Sequence, residues 1–172
     1  TIANVFQLPI ERVEELGDAI NVLGNNTAAR ERDISAAMAR IGGNAKQFGL
    51  AAEEAAALTA AFIALGKPPE VASTAINALL SKLQTAEAQG KTFQEGLEAI
   101  GVSANQLAAD IQANPQQALT GFLQKLEQLD KQSRAIVLTQ MFGTEYSDDV
   151  ALLVGSLGEY EKALGLVADK GK

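Results

Sequence analysis

Histidine, cysteine and tryptophan are all absent from the 172 residues of this chain. Without cysteine there is no disulfide and no zinc–thiolate site. Without histidine the commonest general acid/base and the commonest transition-metal ligand are gone. Without tryptophan no pair of carboxylates can be singled out by an aromatic sugar platform. Positive charge is also scarce, at 14 Lys and Arg against 21 Asp and Glu, a net charge of −7. Phosphate-neutralising surfaces need clustered cations, so the composition shows no nucleic-acid-binding surface. Residues 1–88 hold ten acids and seven bases and residues 89–172 eleven and seven, so there is no acidic tail. The uncharged stretch Ala55 to Gly66 falls well short of the roughly 20 apolar residues that span a bilayer. The chain opens TIANV and closes ADKGK, with no basic start followed by an apolar run. It reads as a soluble piece of something longer.

Period-two alternation of Val, Ile and Thr is missing too, and apolar residues recur instead at three and four. Ile10, Val13, Leu16, Ile20 and Leu23 form one stripe, with Pro9 suiting its first turn. Ile34, Met38, Ile41, Ala45 and Phe48 form a second, with a/d spacing as in a coiled coil. Ala51, Ala55, Leu58, Phe62 and Leu65 form a third, and Ala72, Ile76, Leu79 and Leu83 a fourth behind Pro68-Pro69. Shorter stripes follow at Phe93, Leu97 and Ile100, at Leu107 and Ile111, and at Leu119, Phe122, Leu126 and Leu129. Ile136, Val137, Leu138, Met141 and Phe142 lie on several sides of one helix, which is expected to be buried. The last pieces are roughly 146–155 and 157–168. These stripes predict an all-α fold of about 8–10 helices in antiparallel hairpins, a multi-helix bundle with no sheet. A soft boundary near AEAQGKT, residues 86–92, divides N-terminal hairpins at 1–88 from a bundle of shorter helices at 89–172.

Capping signals mark the breaks. Thr92 with Glu95, Ser103 with Gln106 and Ser156 with Glu159 each fit the capping box, and Asn114-Pro115 is an N-cap before an N1 proline. Gly49-Leu50 and Gly101-Val102 pair a left-handed glycine with an apolar residue that folds back on the helix.

No catalytic constellation emerges. TEYSDD, residues 144–149, gathers Glu145, Asp148 and Asp149 but lacks the twelve-residue calcium loop. It reads as Ser147 capping a helix whose first turn carries acids that favour the macrodipole. Glu53-Glu54 reads the same way at the start of its helix. Gly42-Gly43 lacks a following Lys-Ser/Thr and reads as a close-packing or hinge point inside a helix. The expected fold depends on no metal and no cofactor.

The helix after Gly49 is unusual. Opposite its Leu58–Phe62 stripe stand Glu53 and then Ala56, Ala57, Ala60, Ile63 and Ala64, where an ordinary surface helix carries Lys, Glu or Gln. Small uncharged residues let a second helix approach closely. This helix is expected to pack on two sides, the second neighbour being a helix of the same chain or of another copy. The five uncharged residues of that face and the turn at Gly49 are the candidate structural and interface positions.

Two stretches carry a family resemblance. LGNNTAARERDISAAMARIGGNAKQFGLAAEEAAALTAAFIALG, residues 23–66, resembles the core region of bacteriophage tail tape measure proteins. The matching features are Asn25-Asn26-Thr27, Asp33-Ile34, Arg40-Ile41-Gly42-Gly43, Phe48-Gly49-Leu50 and Glu53-Glu54 before an Ala-rich helix. GFLQKLEQLDKQSRAIVLTQMFGTEYSDDVALLVGSLGEYEKAL, residues 121–164, is similar to the family's later segment, a helix ending in Phe-Gly and then a Leu-rich helix. Ala51 departs from the pattern, where the family usually has a capping Ser. The resemblance implies a structural minor tail protein of a long-tailed phage or prophage and no enzyme. Such proteins occupy the virion tail lumen, after assembly in the host cytoplasm, and help set tail length. It also implies several copies together, with tail tube protein, tail assembly chaperones and tail-tip proteins as partners. Some relatives carry peptidoglycan hydrolases, whose motifs are absent here, and any membrane contact is left to the full-length protein. As one helix the chain would run about 260 Å, yet its glycine breaks imply that it folds back. It is therefore expected to be a helical packing or oligomerisation module. Two other readings stand beside this one. A membrane-active or lipid-binding helical module is suggested by helix 51–65, against which basic residues are not gathered on a polar face. A carboxylate-based cell-wall lytic domain is the other.

Overall fold

The computed structural model describes residues 2–168, which are helical almost throughout, with no strand among them. The helices are α1 (Ile2–Phe6), α2 (Ile10–Asn26), α3 (Glu31–Phe48), α4 (Ala52–Ala64) and α5 (Pro69–Gln84). After a 3₁₀ turn at Ala86–Ala88 come α6 (Lys91–Ala99), α7 (Ala104–Ala113), α8 (Pro115–Glu127), α9 (Lys131–Gly155) and α10 (Leu157–Val167). They group into two compact units. One holds the described residues up to Asn77 and those from Gly158 on; the other is Ala78–Leu157.

In the first unit α2, α3 and α4 pack on one another, and α1 lies on α3. The core is Leu16, Ile20 and Leu23 from α2, Ile34, Met38, Ile41 and Phe48 from α3, and nearly all of α4. The α2–α3 turn is closed by its own polar residues. Asn26 Nδ2 donates to the Val22 carbonyl at 2.8 Å and Thr27 Oγ1 to the Leu23 carbonyl at 2.7 Å. The Asn26 and Thr27 side chains thus add a second donor to each of two carbonyls in the closing turns of α2, beside the Thr27 backbone N–H that also reaches Leu23. Gly42-Gly43 is no hinge, because α3 runs through it without a break, with Gly42 buried in the core. The α3–α4 turn is a Schellman closure: Gly49 N–H donates to the Lys46 carbonyl at 3.1 Å and Leu50 N–H to the Ala45 carbonyl at 3.0 Å. Gly49 has φ 109°, a left-handed conformation that costs glycine nothing. Gly101-Val102 closes α6 by the same bonds, to Glu98 and Leu97.

In the second unit α6 and α8 pack against α9, and α7 packs on α8. The α6–α9 approach is close because residue 96 has no side chain. A Cβ on Gly96 would lie 2.7 Å from Met141 Cγ and 3.4 Å from the Val137 carbonyl oxygen. Phe122 and Phe142 meet edge to face with centroids 6.4 Å apart. Arg134 reaches from α9 to the end of α8, where its guanidinium donates to the carbonyls of Leu126, Glu127 and Leu129. One side chain thus closes three terminal carbonyls.

Several expectations are corrected. Ile10 and Val13 are 89% and 41% exposed. The inward face of α2 is phased on Arg12, Leu16, Ala19 and Leu23 instead, so the stripe points off the core at its start. Ile136 is 55% exposed while Val137, Leu138, Met141 and Phe142 are buried; that helix is amphipathic and not buried all round. Pro9 is the N-cap of α2 and lies outside its first turn. Ser103 and Asn114 do accept from Gln106 N–H and Gln117 N–H. Thr92 does not cap, because extended Gly90 is the N-cap and α6 starts at Lys91. Ser156 ends α9 as its C-cap. Ser147 is buried inside α9, and the break sits four residues earlier, at Gly143 (φ 74°, ψ 173°). The cap that opens α9 is Asp130, accepting from Ser133 N–H at 2.8 Å. That backbone bond, with the Ser133 hydroxyl, holds the Asp130 carboxyl below its usual range.

Gly49→Val should be destabilising by on the order of 1–3 kcal/mol, since a β-branched side chain is forced into φ > 0. Chemical denaturation followed by circular dichroism measures it. A midpoint equal to that of the unaltered chain contradicts a left-handed turn at this position.

Candidate functional site: the buried helix and its ion pair

Thirteen residues of low polarity make α4, and every one from Ala52 to Ile63 except Glu54 is buried. Ala56, Ala57 and Ala60 have no exposed surface, Ile63 has 9%, and Ala64 is half-buried at the end of the helix. The helix packs against α3 and α2 of the same chain. Methyl side chains let helix backbones come close, and the weak dispersion attractions between the closely set atoms add up. Thr59 is also fully buried, but its hydroxyl donates to the Ala55 carbonyl at 2.8 Å. The polar group is thereby satisfied inside the helix.

The two glutamates at the start of α4 have different roles. Glu54 is a capping residue: its Oε1 accepts from Ala51 N–H at 2.8 Å. This is half of a capping box, because Ala51 has no oxygen with which to return the bond. Glu53, read from the sequence as a second acidic residue of the first turn, is instead 2% exposed. Its Oε1 accepts from Arg12 Nη2 at 2.8 Å, across 41 residues of sequence. Its Oε2 has no hydrogen-bond partner among the described residues. Arg12 Nε also lies 2.7 Å from Glu15 Oε2, and the hydrogen bond that Arg12 donates to Glu53 pushes the guanidinium pKa upward. A buried carboxylate is tolerated because this arginine meets it. The ion pair explains the phase of α2, since Arg12 must occupy the inward position to reach Glu53.

No group of three or more Asp and Glu suited to a metal ion occurs among the described residues. Glu145 and Tyr146 are neighbours, and the glutamate's charge raises the Tyr146 pKa. A groove of about 300 Å³ in the second unit lies along α7 and α8, with Leu107 and Phe122 in its wall and Asp110 and Lys125 lining it. No helix of the described residues is long and apolar enough to cross a membrane.

Comparison with known proteins gives a consistent result. The family of phage-related minor tail proteins matches residues 1–143. The probable tape measure protein of Halomonas phage phiHAP-1 is 30% identical over 158 residues, which cover 92% of this chain. The chain spans 18% of the length of that relative. No solved structure matches.

Two substitutions probe this region. Ala60→Glu puts an unpartnered carboxylate where there is no exposed surface, so the loss should be several kcal/mol in a thermal melt. A change within about 0.5 kcal/mol would mean that position 60 is exposed. For the ion pair, Arg12→Met should cost about 2–3 kcal/mol, because Glu53 is left buried without its countercharge. Adding Glu53→Leu should restore most of that loss. Additive losses in the double variant would show that the two side chains do not act as a pair.

Proposed function

The chain belongs to the phage-related minor tail protein family, and from that membership we propose that it is a segment of a tape measure protein. In this reading the full protein lies in the tail lumen of a long-tailed phage or prophage, after assembly in the host cytoplasm. It works there in several copies with tube protein, tail assembly chaperones and tail-tip proteins, and helps to set tail length. The role is structural. The family match over residues 1–143 carries the reading, and the relative described as a probable tape measure protein supports it.

Within that protein the segment acts as a packing module and not as part of the ruler. A ruler measures by its extended length, whereas this chain turns back at Gly49 and Gly101 and buries nearly all of α4. Gly49, Ala56, Ala57, Ala60, Ile63 and Ala64 serve the module by holding α4 at close range.

The test is an in-frame deletion of the coding sequence for these residues from the phage, with tails measured by electron microscopy. A folded assembly module predicts few or no tails, with any survivors of ordinary length. Normal numbers of tails shortened by about 260 Å would mean that the segment is itself extended ruler.

A further inference from the structure

Two outward helix faces of the first unit carry opposite charge. The exposed face of α2, opposite its buried Leu16–Leu23 row, presents Ile10, Glu11, Glu14, Gly17 and Asp18. It has three acids and no base, since Arg12 is turned inward to Glu53. The exposed face of α3 presents Arg32, Ala39, Arg40, Gly43 and Lys46. No acid occurs anywhere between Ile34 and Ala52, so this face is cationic within a chain of net charge −7. At Gly43 the helix surface dips into a shallow hollow edged by Arg40, Asn44, Lys46 and Gln47. A Cβ at Gly43 would meet nothing within 4 Å, so the hollow is open. On the other face Ile10 stands 89% exposed, a bulky apolar side chain among acids.

We infer that the acidic face of α2 in one copy docks on the cationic face of α3 in a second copy, a head-to-tail contact between identical chains. Charge complementarity selects this occupant. Glu11 to Asp18 spans about 10.5 Å of helix and Arg40 to Lys46 about 9 Å, so the charges match in spacing. The two faces lie on different helices, so the contact is heterologous and propagates into a ring or a filament. This rests on the multi-copy reading above and adds to it the surfaces that meet.

Sedimentation of the chain, with charge-reversed variants, tests it. The wild type should self-associate at about 50 mM NaCl and at least about ten-fold more weakly at about 500 mM. Glu14→Lys/Asp18→Lys should be monomeric, and so should Arg40→Glu/Lys46→Glu. A chain carrying all four changes should associate again, as should the two reversed chains when mixed. Circular dichroism confirms that each variant folds; Glu14→Gln/Asp18→Asn replaces the first if it does not. Association untouched by either reversal overturns these surfaces and leaves the multi-copy reading standing. A wild type that stays monomeric overturns both. Binding of duplex DNA that is lost on Arg40→Glu/Lys46→Glu, with self-association unchanged, assigns the cationic face to nucleic acid instead.

Discussion

The close packing of α4 against α2 and α3 is the contact on which the first unit depends. A helix buried on nearly every side can carry almost no polar group without a partner, and this one carries Thr59, bonded to its own backbone, and Glu53, bonded to Arg12. Its other buried residues are small or apolar. Alanine contributes little apolar area itself but lets two backbones approach, and close approach is the source of the stabilisation. The turn at Gly49 follows from the same demand. α3 must stop and reverse within three residues, Gly49 to Ala51, if α4 is to lie against it.

The interior of the first unit is given over to helix packing and turn closure. The residues on which the resemblance rests act here as turn devices: Asn26 and Thr27 bond back to α2, Phe48-Gly49-Leu50 closes α3, and Glu54 caps α4. Phe142-Gly143 marks the break within α9, with the Phe142 ring held against Phe122.

Local features were legible in the sequence and long-range ones were not. The helices, the closures at Gly49 and Gly101 and the cap at Asn114 each depend on residues within a few positions of one another. The pairing of Arg12 with Glu53 joins residues 41 apart. Nothing in either neighbourhood announces it, and Glu53 at a helix start has a sufficient local explanation. Missing that pair also misplaced the phase of α2, because Ile10 and Val13 satisfy the period while Arg12 takes the inward position. Thr92 fits a capping box by composition, but the chain is already extended at Gly90 and the helix begins one residue before the threonine. The break at Gly143 was displaced to Ser147 because the acids after that serine imitate a first turn.

Amide hydrogen exchange along the chain tests the central claim most directly. If α4 is the helix around which the first unit is built, its amides between Leu58 and Ile63 should be the slowest there and should exchange only by global unfolding. Their protection should exceed that of the first turns of α2, where Ile10 and Val13 face solvent. Exchange from α4 as fast as from those turns would contradict the account, since a helix enclosed by its own chain cannot open alone.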